Sequence, residues 1–129
     1  MSADIVFLRK EEVLEYHTLL IEKYGGAHGL RDEGALDSAL AAPENRHYYE
    51  QAEVLVCAAT YTYHLSQTHA FLDGNKRIAA AMAELFLAIN GFRLIATDDE
   101  MEALILGIAA GQISRDEIEQ TFAGYVVKQ

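Results

Sequence analysis

Apolar positions recur along most of this chain at helical spacing, and the breaks between runs carry recognisable punctuation. Ile5-Val6-Phe7-Leu8 is a short apolar run that predicts a minor strand or an extended docking segment. From Lys10 to Tyr24, Val13, Leu14, His17, Leu20, Ile21 and Tyr24 fall on one helical stripe, and Gly25-Gly26 ends it. Ala27 to Gly34 reads as an irregular loop carrying His28, Arg31, Asp32 and Glu33. A short helix through Leu36, Ala39 and Leu40 follows, and Pro43 is expected to stop it. Residues 44–50 show no period and read as a surface loop or flap.

The next two runs are the most apolar. Between Glu50 and Gln67, Val54, Ala58, Tyr61, Thr62 and Leu65 mark one face, while Leu55, Val56, Ala59 and Tyr63 cover the other. A helix apolar nearly all round belongs at the centre of a small domain. After a polar interruption, Ile78, Met82, Leu85 and Ile89 form the stripe of a second central helix, capped by Asn90-Gly91. Phe92 to Ala96 is a candidate short strand, with Ile5–Leu8 as its candidate partner. Thr97-x-x-Glu100 and Ser114-x-x-Glu117 both have capping-box spacing and open two last helices. These elements predict a single all-α domain over residues 1–129, a compact bundle of about six helices with at most a minor β element.

Composition narrows the function. A formal charge of −10 argues against a general nucleic-acid or anionic-membrane surface, so a phosphate-bearing ligand needs a local site. The lone Cys57 excludes an internal disulfide and fits a reducing compartment. No charged-then-apolar leader opens the chain and no apolar run reaches membrane-spanning length, so a cytoplasmic location is expected.

Against this acidic background one stretch stands out, His69-Ala70-Phe71-Leu72-Asp73-Gly74-Asn75-Lys76-Arg77. Between His47 and Phe92 its Lys76–Arg77 pair supplies the only lysine or arginine. Cations normally avoid the first turn of a helix, where the backbone already presents positive charge. Two of them at the start of a central helix make sense if an anion lies above that end. Gly74 lets the backbone approach such an anion, and Asn75 can cap the turn or donate from its amide. Asp73 is the hard ligand that Mg²⁺ prefers, and the neutral ring of His69 can accept a proton from a hydroxyl. Phe71 points the other way, into the core. A His-x-x-x-Asp pair alone is more often a hydrogen-bonded loop; the complete stretch is what turns the reading towards phosphoryl chemistry.

His69-x-Phe71-x-Asp73-Gly74-Asn75-Lys76-Arg77 resembles the signature of the Fic/Doc superfamily. It is most similar to the death-on-curing (Doc) family of toxins from type II toxin–antitoxin modules. Fic enzymes carry H-x-F-x-(D/E)-G-N-G-R-x-x-R; here Lys76 replaces the second motif glycine, as in Doc-type members, and Ala80 stands where the last arginine would be. The Doc type member has alanine where Gly74 stands, so the motif is intermediate between the two groups. Tyr24-Gly25-Gly26, Gly29-Leu30-Arg31-Asp32-Glu33-Gly34 and Ser38-Ala39-Leu40 also match the Doc N-terminal pattern.

The resemblance implies a toxin that moves the γ-phosphate of ATP, with Mg²⁺, to a hydroxyl of a target protein such as the translation factor EF-Tu. His69 would be the general base and Asp73 the metal ligand. Lys76 and Arg77 would bind phosphate, with Gly74 and Asn75 completing the anion hole. The Fic self-inhibitory pattern (serine or threonine, three residues, glutamate, then glycine or asparagine) is missing, because Lys23 follows the Thr18–Glu22 pair. Control in trans by a Phd-like antitoxin is therefore expected. The alternatives are Fic-type AMP transfer and a catalytically silent protein-binding module.

Overall fold

The computed structural model describes residues 4–129, and among them it is all-α apart from one small sheet. Six helices run α1 (Lys10–Tyr24), α2 (Glu33–Glu50), α3 (Val54–Gln67), α4 (Asn75–Ile89), α5 (Asp98–Ala109) and α6 (Arg115–Tyr125). Two short strands, β1 (Phe92–Leu94) and β2 (Val126–Lys128), pair antiparallel with Arg93 opposite Val127.

Helix α3 occupies the centre, packed by α2, α4, α5 and α6. Its all-round apolar sequence accounts for this: Cys57, Ala58, Ala59 and Tyr61 are fully buried. The buried hydroxyls of Thr60 and Thr62 donate back to the carbonyls of Val56 and Ala58, at 2.7 and 2.9 Å, which satisfies both, while the buried Ser66 hydroxyl has no partner among the described residues. Helix α4 lies against α3 and is flanked by α1, α5 and β1. Its buried stripe of Ile78, Met82 and Phe86 faces the core and leaves its N-terminal turn at the surface. Both capping boxes form, with Thr97 and Ser114 each exchanging hydrogen bonds with the glutamate three residues on.

Three expectations need correction. Pro43 does not stop a helix; it sits buried inside α2, which continues through the expected flap at 44–50 to Glu50. An internal proline costs on the order of 3 kcal/mol, because its N–H is missing and its ring crowds the preceding turn. Tertiary anchors beyond it outweigh that cost. Arg46 donates to Thr60 Oγ1 at 3.1 Å and to Glu119 Oε1 at 2.6 Å, and His47 Nδ1 lies 2.7 Å from the Ala52 carbonyl. Helix α3 accordingly starts at Val54 rather than Glu50.

The third correction concerns the strand pairing. β1 pairs with β2, and Ile5–Leu8 is the extended docking segment instead. Asn90 binds it with Oδ1 accepting from Val6 N–H at 2.8 Å and Nδ2 donating to the Val6 carbonyl at 2.9 Å. The buried Tyr61 hydroxyl accepts from Leu8 N–H at 3.1 Å. A side-chain amide thus supplies the donor and acceptor that a neighbouring strand would have offered.

Candidate active site

Residues 68–74 form the connection between α3 and α4, and its inner half is buried: Ala70 and Phe71 are each 2% exposed. Phe71 anchors the loop as its sequence position suggests, with its ring stacked on that of His17 from α1 (centroids 3.8 Å apart, planes 14° from parallel). The loop is also sewn to the segment that follows α1. Ala70 carbonyl accepts from Arg31 and Asp32 N–H at 2.8 and 3.0 Å, and Leu72 N–H donates to Gly29 carbonyl at 3.1 Å. Asp32 in turn caps α2 by accepting from Ala35 N–H, and Lys10 reaches Glu33 and Asp37 at 2.7 and 2.8 Å. The carboxylates of Asp32 and Glu33 are therefore structural, whereas Arg31 contributes its backbone N–H.

The Asn75 carboxamide is used at both ends inside the loop: Oδ1 accepts from Phe71 N–H at 3.0 Å and Nδ2 donates to Phe71 carbonyl at 2.9 Å. With both ends engaged, the side chain fixes the shape of the turn. Asp73 is exposed, and its carboxylate accepts from Gly74 N–H (Oδ1, 3.0 Å) and Ala27 N–H (Oδ2, 3.2 Å). Each oxygen keeps a lone pair for a further partner.

Helix α4, like α3 before it, begins without a side-chain cap or an acidic first turn. α5 and α6 carry both, whereas α4 has Gly74 at its N-cap. Its first amides are therefore left for an exogenous acceptor. Lys76 and Arg77 are exposed, and neither belongs to any ion pair found among the described residues. The Arg77 guanidinium lies over the ring of Tyr24, 4.8 Å from its centroid.

His69, Asp73, Gly74, Asn75, Lys76 and Arg77 all line one cleft of about 880 Å³. Ala80 lines it too, so the position of the last Fic arginine faces the cleft without a cation. His69 holds a left-handed backbone, φ 47°, and its side chain is exposed at the mouth. His64 is not part of the cleft; burial, then the charges of Arg115 and Arg46, lower its pKa and favour the neutral ring.

Sequence reasoning missed two parts of this site. One is the far wall, where Glu84, Asp98 and Glu102 form an acidic edge around Leu94, Met101 and Ile105. These residues come from three elements and have no local motif in common. The other is His17, a polar residue on an otherwise apolar helical stripe. It is 3% exposed, and its Nε2 lies 2.7 Å from the carbonyl oxygen of Asp73.

Comparison with known proteins agrees with this geometry. Residues 7–87 match the model of the Fic/DOC family. The chain is 33% identical over 112 residues to "Protein kinase doc" of Escherichia phage P1, covering 86% of this chain and 88% of that protein. It is 36% identical over 123 residues to "Toxin Doc" of Mycolicibacterium smegmatis, covering 92% of each. With the signature residues gathered on one cleft and the match spanning most of the chain, this protein belongs to the Fic/DOC family, in its Doc branch.

Proposed function

We propose that this protein is a toxin-type protein phosphotransferase that moves the γ-phosphate of ATP to a hydroxyl of a target protein. The observation that carries the reading is the grouping on one cleft of His69, Asp73 and two cations, Lys76 and Arg77, that join no ion pair among the described residues, beside a helix end without a side-chain cap. The kinase named among its relatives supports the same chemistry.

The residues have distinct tasks. Lys76, Arg77 and the first amides of α4 hold phosphate oxygens. Phosphoryl transfer is catalysed mainly by such positioning and charge neutralisation. His69 accepts the proton of the target hydroxyl as its oxygen bonds to the γ-phosphorus. The bond from that phosphorus to the bridging oxygen breaks, and ADP leaves with the electron pair. No group of three or more His, Cys, Asp or Glu among the described residues forms a metal cage. A single exposed carboxylate suits Mg²⁺, which commonly binds through one or two carboxylates together with substrate phosphates and water. Asp73 is the residue that would hold it, and the ion would neutralise charge on the phosphates.

Lys76 and Ala80 together favour γ-phosphate over AMP as the transferred group. Lysine fills space beside the turn and adds a point charge, and alanine removes the cation that would grip the far phosphate. The target proposed is a translation factor of the EF-Tu kind, so that transfer halts protein synthesis, and a Phd-like antitoxin segment holds the toxin silent. Among the described residues no helix is long and apolar enough to cross a membrane, compatible with a cytoplasmic target.

The deciding experiment supplies ATP labelled at the α or the γ position to the protein and purified EF-Tu. Label reaching the target from γ alone supports the proposal. Label from α means AMP transfer, and label from neither, free of antitoxin and with a verified target, leaves a binding module.

A further inference from the structure

His17 is a buried titratable side chain that the chemistry above does not use, yet it touches the site loop at two points. Its ring face stacks on Phe71, and its Nε2 lies 2.7 Å from the carbonyl oxygen of Asp73. A carbonyl only accepts, so Nε2 carries a proton and donates it.

This bond has a directional consequence. In a trans peptide the carbonyl and the following N–H point in opposite directions. Holding the Asp73 carbonyl down towards α1 therefore turns the Gly74 N–H outwards, where Asp73 Oδ1 accepts it at 3.0 Å. Gly74 has φ 77° and ψ 16°, the values of the third residue in a type II turn. Flipping the central peptide of such a turn gives type I geometry with little displacement of the flanking residues. Here that flip would aim a carbonyl oxygen at the place where the phosphate is expected. The space beneath is already closed: a Cβ on Gly74 would meet Ile21 Cδ1 at 3.1 Å and His17 Nε2 at 3.5 Å.

We propose that His17 is a positioning residue which locks the Asp73–Gly74 peptide with its N–H outwards and so keeps the anion cradle attractive to phosphate. The proposal rests on the phosphotransferase reading for its ligand. Its structural part, the peptide orientation, stands apart from that reading.

The test compares wild type, His17→Leu, which keeps an apolar filler without a donor, and His17→Gln, which keeps an amide donor. For folded His17→Leu, the expected result is Mg·ATP binding about tenfold weaker by calorimetry, the loss of roughly one hydrogen bond. A displaced Gly74 amide resonance should accompany it, and His17→Gln should recover most of both. Unchanged binding and an unmoved Gly74 resonance in His17→Leu would overturn the proposal. So would a His17→Gln variant as impaired as His17→Leu, since packing rather than the donor would then be responsible. Should His17→Leu fail to fold, ¹⁵N-labelled histidine in the wild type decides: a protonated Nε2 coupled to the Asp73 carbonyl carbon supports the lock, and a bare Nε2 refutes it. If wild type transfers no phosphate, the functional reading fails while the Gly74 and His17 resonances still decide the role of His17.

Discussion

Asn75 closes on Phe71 twice, once as acceptor and once as donor, so that one side chain fixes both backbone groups of a residue four positions earlier. Removing it leaves a part-buried N–H and carbonyl without partners, a loss of about 1–3 kcal/mol for each group that water cannot reach. Asn75→Ala is expected to lower the unfolding free energy within that range and to suppress label transfer far more than stability alone explains. Chemical denaturation beside the transfer assay checks this. Asn75→Asp, which keeps the acceptor for Phe71 N–H, should be the milder variant in denaturation.

Gly26 and Gly25 are adjacent and both have positive φ, but only one sits against the site. A Cβ at Gly26 (φ 115°) would lie 2.7 Å from Asp73 Oδ2, whereas one at Gly25 (φ 87°) meets nothing within 4 Å. Gly25→Ala should therefore show only the backbone penalty, about 1–3 kcal/mol for φ 87°, ψ 172°, a region that side chains avoid. Gly26→Ala should add displacement of the Asp73 carboxylate. Transfer rates measured against Mg²⁺ concentration separate them: a shifted requirement in Gly26→Ala alone is the expected outcome.

Tyr24 supports Arg77 from below through a cation–π contact. At an exposed site such contacts are worth about 0.5–1 kcal/mol. Tyr24→Ala should raise the KM for ATP a few-fold with kcat little changed, and Tyr24→Phe should behave as wild type. A KM insensitive to both would show that the ring does not hold Arg77 for its ligand.

Cys57 is fully buried, and loss of solvation pushes its thiol up to about 11, only partly offset by the charge of Arg46. A thiol disulfide reagent at pH 8 should leave it unmodified in the native protein and react on unfolding. The raised value also fixes the sign of the pH dependence. The thiol must stay protonated in the fold, so its contribution is intact below the unfolded value near 9 and is lost as pH rises towards 11. Denaturation series between pH 8 and 11 would show the decline.

Much of the molecule was legible because the deciding interactions are local. The capping boxes at Thr97 and Ser114, the glycine end of α1 and the nine-residue signature all depend on neighbours a few positions away. What was not legible depends on distant partners. Pro43 obeys a local rule that breaks helices, and Arg46 overrides it through Glu119, 73 residues on. β1 found its partner at Val126–Lys128, and no alternation in either short strand distinguished that pairing from Ile5–Leu8. His17 reads in the sequence only as one more position of the α1 stripe, and its role follows from Phe71 and Asp73 lying against it.

The left-handed backbone at His69 has a consequence for the protein's thermodynamics. A non-glycine residue at φ 47° carries about 1–2 kcal/mol of conformational strain that the surrounding loop must hold in place. His69→Gly removes both the proposed base and that strain, and so should be inert as a transferase yet lose none of its stability to the backbone.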